Sequence, residues 1–430
     1  VRAVRQASRL TLAQLAKRCD YSVSTLSRME RGKQPLNDLR VLQRLAGALG
    51  IPPYLLGLAD TPARSVPASR PAAKVWGVLV PDEETDPMRR RTLLAGLTGL
   101  AGTAVLGMPA GGDPLGVLET ALLDPPVSVG IPVALPQLRR DVATARSVFQ
   151  QGRYTEVATV LPDLLSAATT TRTALHSTED IADANGQLAE LYMLASELMV
   201  RLGNDRLAWT TADRALQTAH SSGDVLTQAI ARRHWAIVLR RAGRADAAQR
   251  LVVDAAAALQ SDLQRGPEYL SVYGSLLSTA AYTAAVDGDR DTAHTLINEA
   301  VDAAGRLGAD GNHRFTAFGP TGVGVYQISI ARVLGDSGAA IEAARHINPA
   351  TIPLADQRAR YWSNIARSFH QWGKPERCYR ALLAAEHASP DEVRYHKPIQ
   401  QITTSLLRHP TAHTLPGLRA FARRTGAQAI

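Results

Sequence analysis

The sequence predicts an all-α protein: a small basic head, a proline-rich connector and a long array of helical hairpins. Three observations carry this prediction. First, only 5% of the 430 residues are aromatic while 45% are hydrophobic, chiefly Ala and Leu, which favours helix over sheet. Second, the charge is concentrated. Residues 1–50 hold ten Lys or Arg against Asp20, Glu30 and Asp38, so this segment carries seven of the nine net positive charges. Third, glycines punctuate the remainder at near-regular intervals, and no run of alternating strand pattern appears. The length fits about three domains, or one small domain and an array.

In the head, Thr11-Leu-Ala-Gln14 has the form of a capping box, with Thr11 as N-cap and Gln14 reaching back. Leu12, Leu15, Ala16 and Cys19 then share one face, giving a short amphipathic helix over Thr11–Arg18. Asp20-Tyr21 breaks the pattern. Ser22 can cap a second helix from Val23 to Arg31, which Gly32 ends. Leu26 and Met29 of that helix point toward a core, while Ser24, Ser27, Arg28 and Arg31 point away. Short hydroxyls allow close approach to a DNA groove, and Arg28 can reach a guanine edge bidentately. Arg31 and Lys33 lie past the reading end, where phosphate contact is expected. The alternative is a merely solvated face.

The run from Thr11 to Lys33, with its Ser22-Val-Ser-Thr-Leu-Ser-Arg-Met-Glu-Arg-Gly32 core, resembles the XRE, or lambda-repressor-like, helix-turn-helix family. The likeness continues through Leu39–Ile51 to Tyr54-Leu-Leu56. It implies a DNA surface made of Thr11, Lys17, Ser22, Val23, Ser24, Thr25, Ser27, Arg28, Arg31 and Lys33, with base reading centred on Val23, Ser24 and Arg28. Two features depart from the family. Leu12 stands where a DNA-supporting Gln is common, and the first helix, beginning at Val1, is short. Both imply weaker binding by this chain.

These features set the head at residues 1–60. Residues 61–90 are rich in Pro and Ala, a semi-rigid linker composition in which Trp76 is an expected anchor. Arg89-Arg-Arg-Thr-Leu-Leu94 and the apolar stretch to Met108 resemble a twin-arginine export signal. The run of about 16 residues is short of the roughly 20 that a span needs, and it follows a folded head. A buried or partner-facing helix is the expectation, and no membrane role.

From residue 91 to 430 the period becomes visible. Gly152, Gly203, Gly243, Gly288, Gly335 and Gly373 read as helix-ending glycines. Five positions later stand Val157, Ala208, Ala248, Ala293, Ala340 and Cys378. Seven earlier stand Ala145, Ser196, Ala236, Ala281, Ile328 and Ala366. Twelve later Ala215, Ala255, Ala300 and Ala385 recur, with Leu164 and Ile347 as exceptions. Small residues so placed let two antiparallel helices approach closely. The spacing resembles the tetratricopeptide repeat, stretched beyond its usual length, and implies a tetratricopeptide-like helical-repeat superhelix with a concave groove. A generic Ala-rich bundle is the alternative.

Between the fourth and fifth glycines, Asn312-His-Arg-Phe-Thr-Ala-Phe-Gly-Pro-Thr-Gly322 interrupts the period. Loops that break a regular scaffold often carry function. Asn312, Arg314, Phe315, Phe318 and Tyr326 are therefore candidate effector-binding residues, although Phe315 and Phe318 can equally plug the core. Phe315–Thr321 and Ala384–His396 look like segments of actinobacterial XRE regulators with tetratricopeptide-like C-terminal domains. That group is similar in layout to the peptide-sensing regulators of Gram-positive bacteria.

No GxxxxGK loop, HExxH helix or GxSxG elbow is present. His409 and His413 are four apart, but Pro410 spoils a helical pair. Neither an enzyme nor a cofactor nor a metal is expected. Cys19 and Cys378 fit no metal or disulfide pattern, and point to a reduced, cytoplasmic protein. The sequence therefore reads as a homodimeric transcriptional regulator that binds double-stranded DNA at a partial palindrome, with a peptide or small molecule as effector. An interaction scaffold that binds DNA only weakly, and a membrane-associated regulator, are the alternatives.

Overall fold

The structure, a computed structural model, describes residues 10–19, 26, 47–48, 114–123 and 131–427. All regular elements among the described residues are helices. The chain divides into two compact units, Val1–Glu84 and Thr85–Ile430.

In the first unit the capping box forms as the spacing predicts. The Thr11 backbone N–H donates to Gln14 Oε1 at 2.8 Å, and the Gln14 N–H donates to Thr11 Oγ1 at 3.2 Å. This satisfies the opening donors of α1 (Leu12–Cys19), which buries Leu15, Ala16 and Cys19. Leu26 is helical and buried, as its place on the inward face requires. The rest of the expected second helix, the 61–90 connector and the Arg89–Met108 segment lie outside the described residues.

The second unit opens with α2 (Pro114–Leu123). Six antiparallel hairpins follow: α3 (Leu135–Gln150) with α4 (Tyr154–Ala174), α5 (Thr178–Leu202) with α6 (Asp205–Ser222), and α7 (Val225–Arg241) with α8 (Ala245–Leu259). Then come α9 (Pro267–Asp287) with α10 (Arg290–Leu307), α11 (Pro320–Val333) with α12 (Ser337–Arg345), and α13 (Ala355–Gln371) with α14 (Pro375–Ala388). Short helices α15 (Pro390–Tyr395), α16 (Lys397–Arg408) and α17 (Leu418–Arg424) finish the chain.

The glycine period is the hairpin period. All six glycines take positive φ at the turns, a conformation glycine adopts without strain. The residues five positions beyond them, Val157 to Cys378, are completely buried, and those seven before are buried at every hairpin. Small side chains at these places bring the two helices of a hairpin together.

Each first helix packs on the first helix of the next hairpin, as expected of a repeat array. The array does not stay open, however: α13 also packs against α3, and α15 against α4 and α5. The expected groove is thereby closed into a chamber walled by α3, α5, α7, α9, α11 and α13. The seam is specific. Ser389 Oγ donates to the Gly152 carbonyl at 3.0 Å, and a Cβ at Gly152 would overlap the Ser389 side chain. The first turn glycine thus serves both the turn and the closure.

Candidate functional site

Alternate faces of the first helices decide what fills the chamber. The residues seven before each turn glycine point into the hairpin core, so those six and thirteen before point to the inner wall, where Arg146, Glu190, Glu197, Ser275, Tyr282, Arg360 and Arg367 stand. Arg146 is the centre of one cluster. Its guanidinium, almost fully buried, spans Glu190 at 2.5 Å and Glu197 at 2.9 Å. Burial opposes the charge on Glu197, but Arg146, His234, Arg201 and Arg360 outweigh it and hold the carboxyl at about 2. His234, buried beside them, is held neutral at about 3 because burial outweighs the attraction of Glu197.

A second cluster lies across the chamber. Arg360 pairs with Asp356 at 2.7 Å. Burial pushes the Asp356 carboxyl up against the pull of Arg360 and Arg201. Its Oδ1, and Nε of Arg360, are buried without a hydrogen-bond partner. Arg233 donates to Thr279 Oγ1 at 2.9 Å and to the Tyr326 hydroxyl at 3.1 Å. Burial opposes ionisation of Tyr326, but Arg233 and Arg360 win and lower its phenol to about 8.

The inner network is richer in cations than in carboxylates. Among the described residues it holds Arg146, Arg201, Arg233, Arg240, Arg332, Arg360 and Arg367 against Glu190, Glu197, Asp356 and Glu392. Arg240 rests on the Tyr282 ring, 4.7 Å from its centroid, and donates to Thr283 Oγ1. Arg332 donates to Asn364. Burial and the charge of Arg332 push Arg367 down to about 10. The chamber lining itself sets Arg146, Arg233 and Arg360 against Glu190, Glu197 and Asp356, while Arg314 pairs with Asp224, and an uncompensated buried charge there would be costly.

The loop that breaks the period roofs the chamber. Asn312 exchanges hydrogen bonds with Gln150, which also donates to the Phe315 carbonyl at 3.1 Å. Gln357 holds the Ala317 carbonyl and Arg314 pairs with Asp224. Phe318 is buried against Gly274, where any Cβ would overlap its ring. A mid-helix glycine, costly on propensity, is explained by that approach. Arg314, Phe315 and Ala317 have φ of 52°, 56° and 51°. Such left-handed residues concentrate at functional and switch segments.

Under the loop lies a chamber of about 60 Å³, and beyond it a vestibule of about 420 Å³. Arg314, Phe315, Glu190 and Ile230 border both, so Arg314 and Phe315 form part of the partition. Of the sequence candidates, Arg314, Phe315, Phe318 and Tyr326 line the inner chamber, and Asn312 braces the loop from behind. Sequence reasoning missed Arg146, Glu190, Glu197, Arg233, His234, Asp356 and Arg360. The signal was there for Arg146, Glu190, Glu197 and Arg360, which recur six and thirteen positions before a turn glycine.

For the head, Thr11 is the N-cap and Lys17 is exposed on α1. The other candidate DNA residues, from Ser22 to Lys33, lie outside the described residues, as does the side chain of Leu12. Among the described residues no cluster of three or more His, Cys, Asp or Glu could hold a metal ion. No described helix is long and apolar enough to cross a membrane.

Residues 1–57 match the family model of a helix-turn-helix domain. The chain thus carries a helix-turn-helix head of the DNA-binding class in front of a closed helical-repeat unit. No curated protein and no solved structure matches the chain.

Proposed function

We propose that this protein is a sequence-reading transcriptional regulator: a homodimer whose heads bind a partly palindromic duplex and whose helical unit takes a small effector. The observation that carries the reading is the conjunction, in one chain, of the helix-turn-helix match over residues 1–57 with a polar chamber whose lining residues include two unpartnered buried atoms, Asp356 Oδ1 and Arg360 Nε. The XRE resemblance adds the base-reading role of Val23, Ser24 and Arg28. Dimerisation through the helical unit would set half-sites about one helical turn apart. An effector would act by binding the DNA-competent and incompetent states unequally. The role is binding, without catalysis, in the cytoplasm, where the two buried free cysteines stay reduced.

Selection of bound sites from random duplex DNA, at low and near-physiological salt, tests this reading. Recovery of an inverted repeat that survives the higher salt is the expected result. Salt-sensitive binding without sequence preference would overturn it in favour of an interaction scaffold, since phosphate contacts alone give that behaviour.

A further inference from the structure

We infer that the inner chamber binds a small organic acid carrying a hydrogen-bond donor next to its carboxylate, an α-hydroxy or α-amino acid, between Arg233, Arg360 and Asp356. The inference deepens the effector reading above and rests on it only for the consequence at DNA.

Arg233 supplies the anion side. Its hydrogen-bond partners Thr279 and Tyr326 are hydroxyls, and among the described residues no carboxylate lies within 4 Å of it. With Nε and Nη2 held by these hydroxyls, the Nη1 side of the planar guanidinium is left for a carboxylate. Arg360 stands near the same phenol with its Nε unpartnered. Asp356 supplies the opposite chemistry. Its side chain is 4% exposed, Oδ2 takes Arg360, and Oδ1 is buried with no donor in a residue that lines the chamber. A hydroxyl or ammonium beside the ligand's carboxylate answers that oxygen. Phosphate, which keeps an O–H at neutral pH, answers it less well, because its remaining charge is larger than that of a carboxylate and meets Asp356.

Size agrees with the chemistry. A water position needs about 10–15 Å³ of such volume, so a chamber of about 60 Å³ holds only a few non-hydrogen atoms under the closed loop. Larger substituents have room in the vestibule beyond Phe315. The Asn312–Phe318 loop that covers the chamber is held by its bonds to Gln150, Asp224 and Gln357.

The test is thermal unfolding of the full chain, without DNA, at fixed ionic strength and neutral pH. The probes are lactate, alanine, acetate, lactamide and inorganic phosphate. Lactate or alanine is expected to raise Tm saturably, acetate and phosphate less, and lactamide not at all. Arg233→Gln is expected to weaken binding about 10- to 100-fold, and Asp356→Asn to erase the advantage over acetate. Arg233→Lys, which keeps the buried charge and protects the fold, is expected to lose about tenfold with the bidentate geometry. The inference is overturned if no organic acid shifts Tm, if phosphate is preferred, or if folded Arg233→Lys binds as the parent does. Because DNA is absent, a chain that binds the acid yet selects no operator refutes only the regulator reading.

Discussion

The Tyr154 phenol donates a 2.9 Å hydrogen bond to Glu392, a buried carboxylate 238 residues further along the chain. Arg201 meets the same carboxylate from the second hairpin at 3.4 Å. Three elements distant in sequence thus share one buried charge at the point where the array closes. Tyr154→Phe removes one donor and leaves the ring in place. A loss of about 1.5–3 kcal/mol is expected, as for a hydrogen bond to a charged group. Urea unfolding of the pair of proteins checks it, and an unchanged midpoint would show that this bond adds nothing to closure.

Arg146→Ala should cost more. It strands Glu190 and Glu197 without their shared cation, and loss of one partner in a buried ion network costs about 3–5 kcal/mol. Arg139, which pairs with Asp183 at the surface with its side chain 55% exposed, provides the control. Arg139→Ala is expected to cost at most about 1 kcal/mol. Equal losses in the two variants would contradict the view that the chamber wall is buried.

Acid should unfold the helical unit in stages. His234 and His396 are held at about 3 and about 4, chiefly by burial, against an ordinary 6.5. The unfolded chain then takes up protons that the folded chain refuses, so stability falls as pH drops below about 6.5. Glu197, held at about 2 against an ordinary 4.5, adds a second loss as pH falls below about 4.5. Asp356, pushed up by burial, runs in the opposite sense. Denaturation between pH 7 and pH 3 measures this. His234→Gln is expected to flatten the upper stage, and a curve flat down to about pH 4.5 would refute the buried neutral histidines.

The two phenylalanines of the loop should separate cleanly. Phe318 is buried on Gly274, so Phe318→Ala is expected to cost about 3–5 kcal/mol. Phe315 is only half-buried and borders both cavities, so Phe315→Ala is expected to keep the fold and speed exchange of any chamber ligand. Calorimetric melts of the two variants decide it; similar melting temperatures would remove the distinction between anchor and gate.

For the head, Arg28→Ala is expected to cost about 1–3 kcal/mol and relax preference at one base pair, as for a bidentate guanine contact. Lys33→Ala is expected to weaken all duplexes alike and flatten the salt slope. Binding titrations on a selected site and a scrambled one compare them. Identical behaviour of the two variants would merge the reading and positioning roles.

The sequence by itself determined the local structure: the capping box at Thr11 and Gln14, the positive-φ turns at the six glycines, and the small residues that close each hairpin. These depend on neighbours within one or two turns of chain, and their physics is complete at that range. It also marked the Asn312–Gly322 interruption as the irregular place. Only the tertiary structure decided that the array closes. Closure depends on the accumulated rotation between successive hairpins, and repeat separations as uneven as 51 and 38 residues do not fix that sum. Once α13 meets α3, the charged face of the first helices changes its meaning. Arg146, Glu197 and Arg360 would be solvated side chains on an open array; in the closed ring they exchange water for one another, and that exchange makes the chamber.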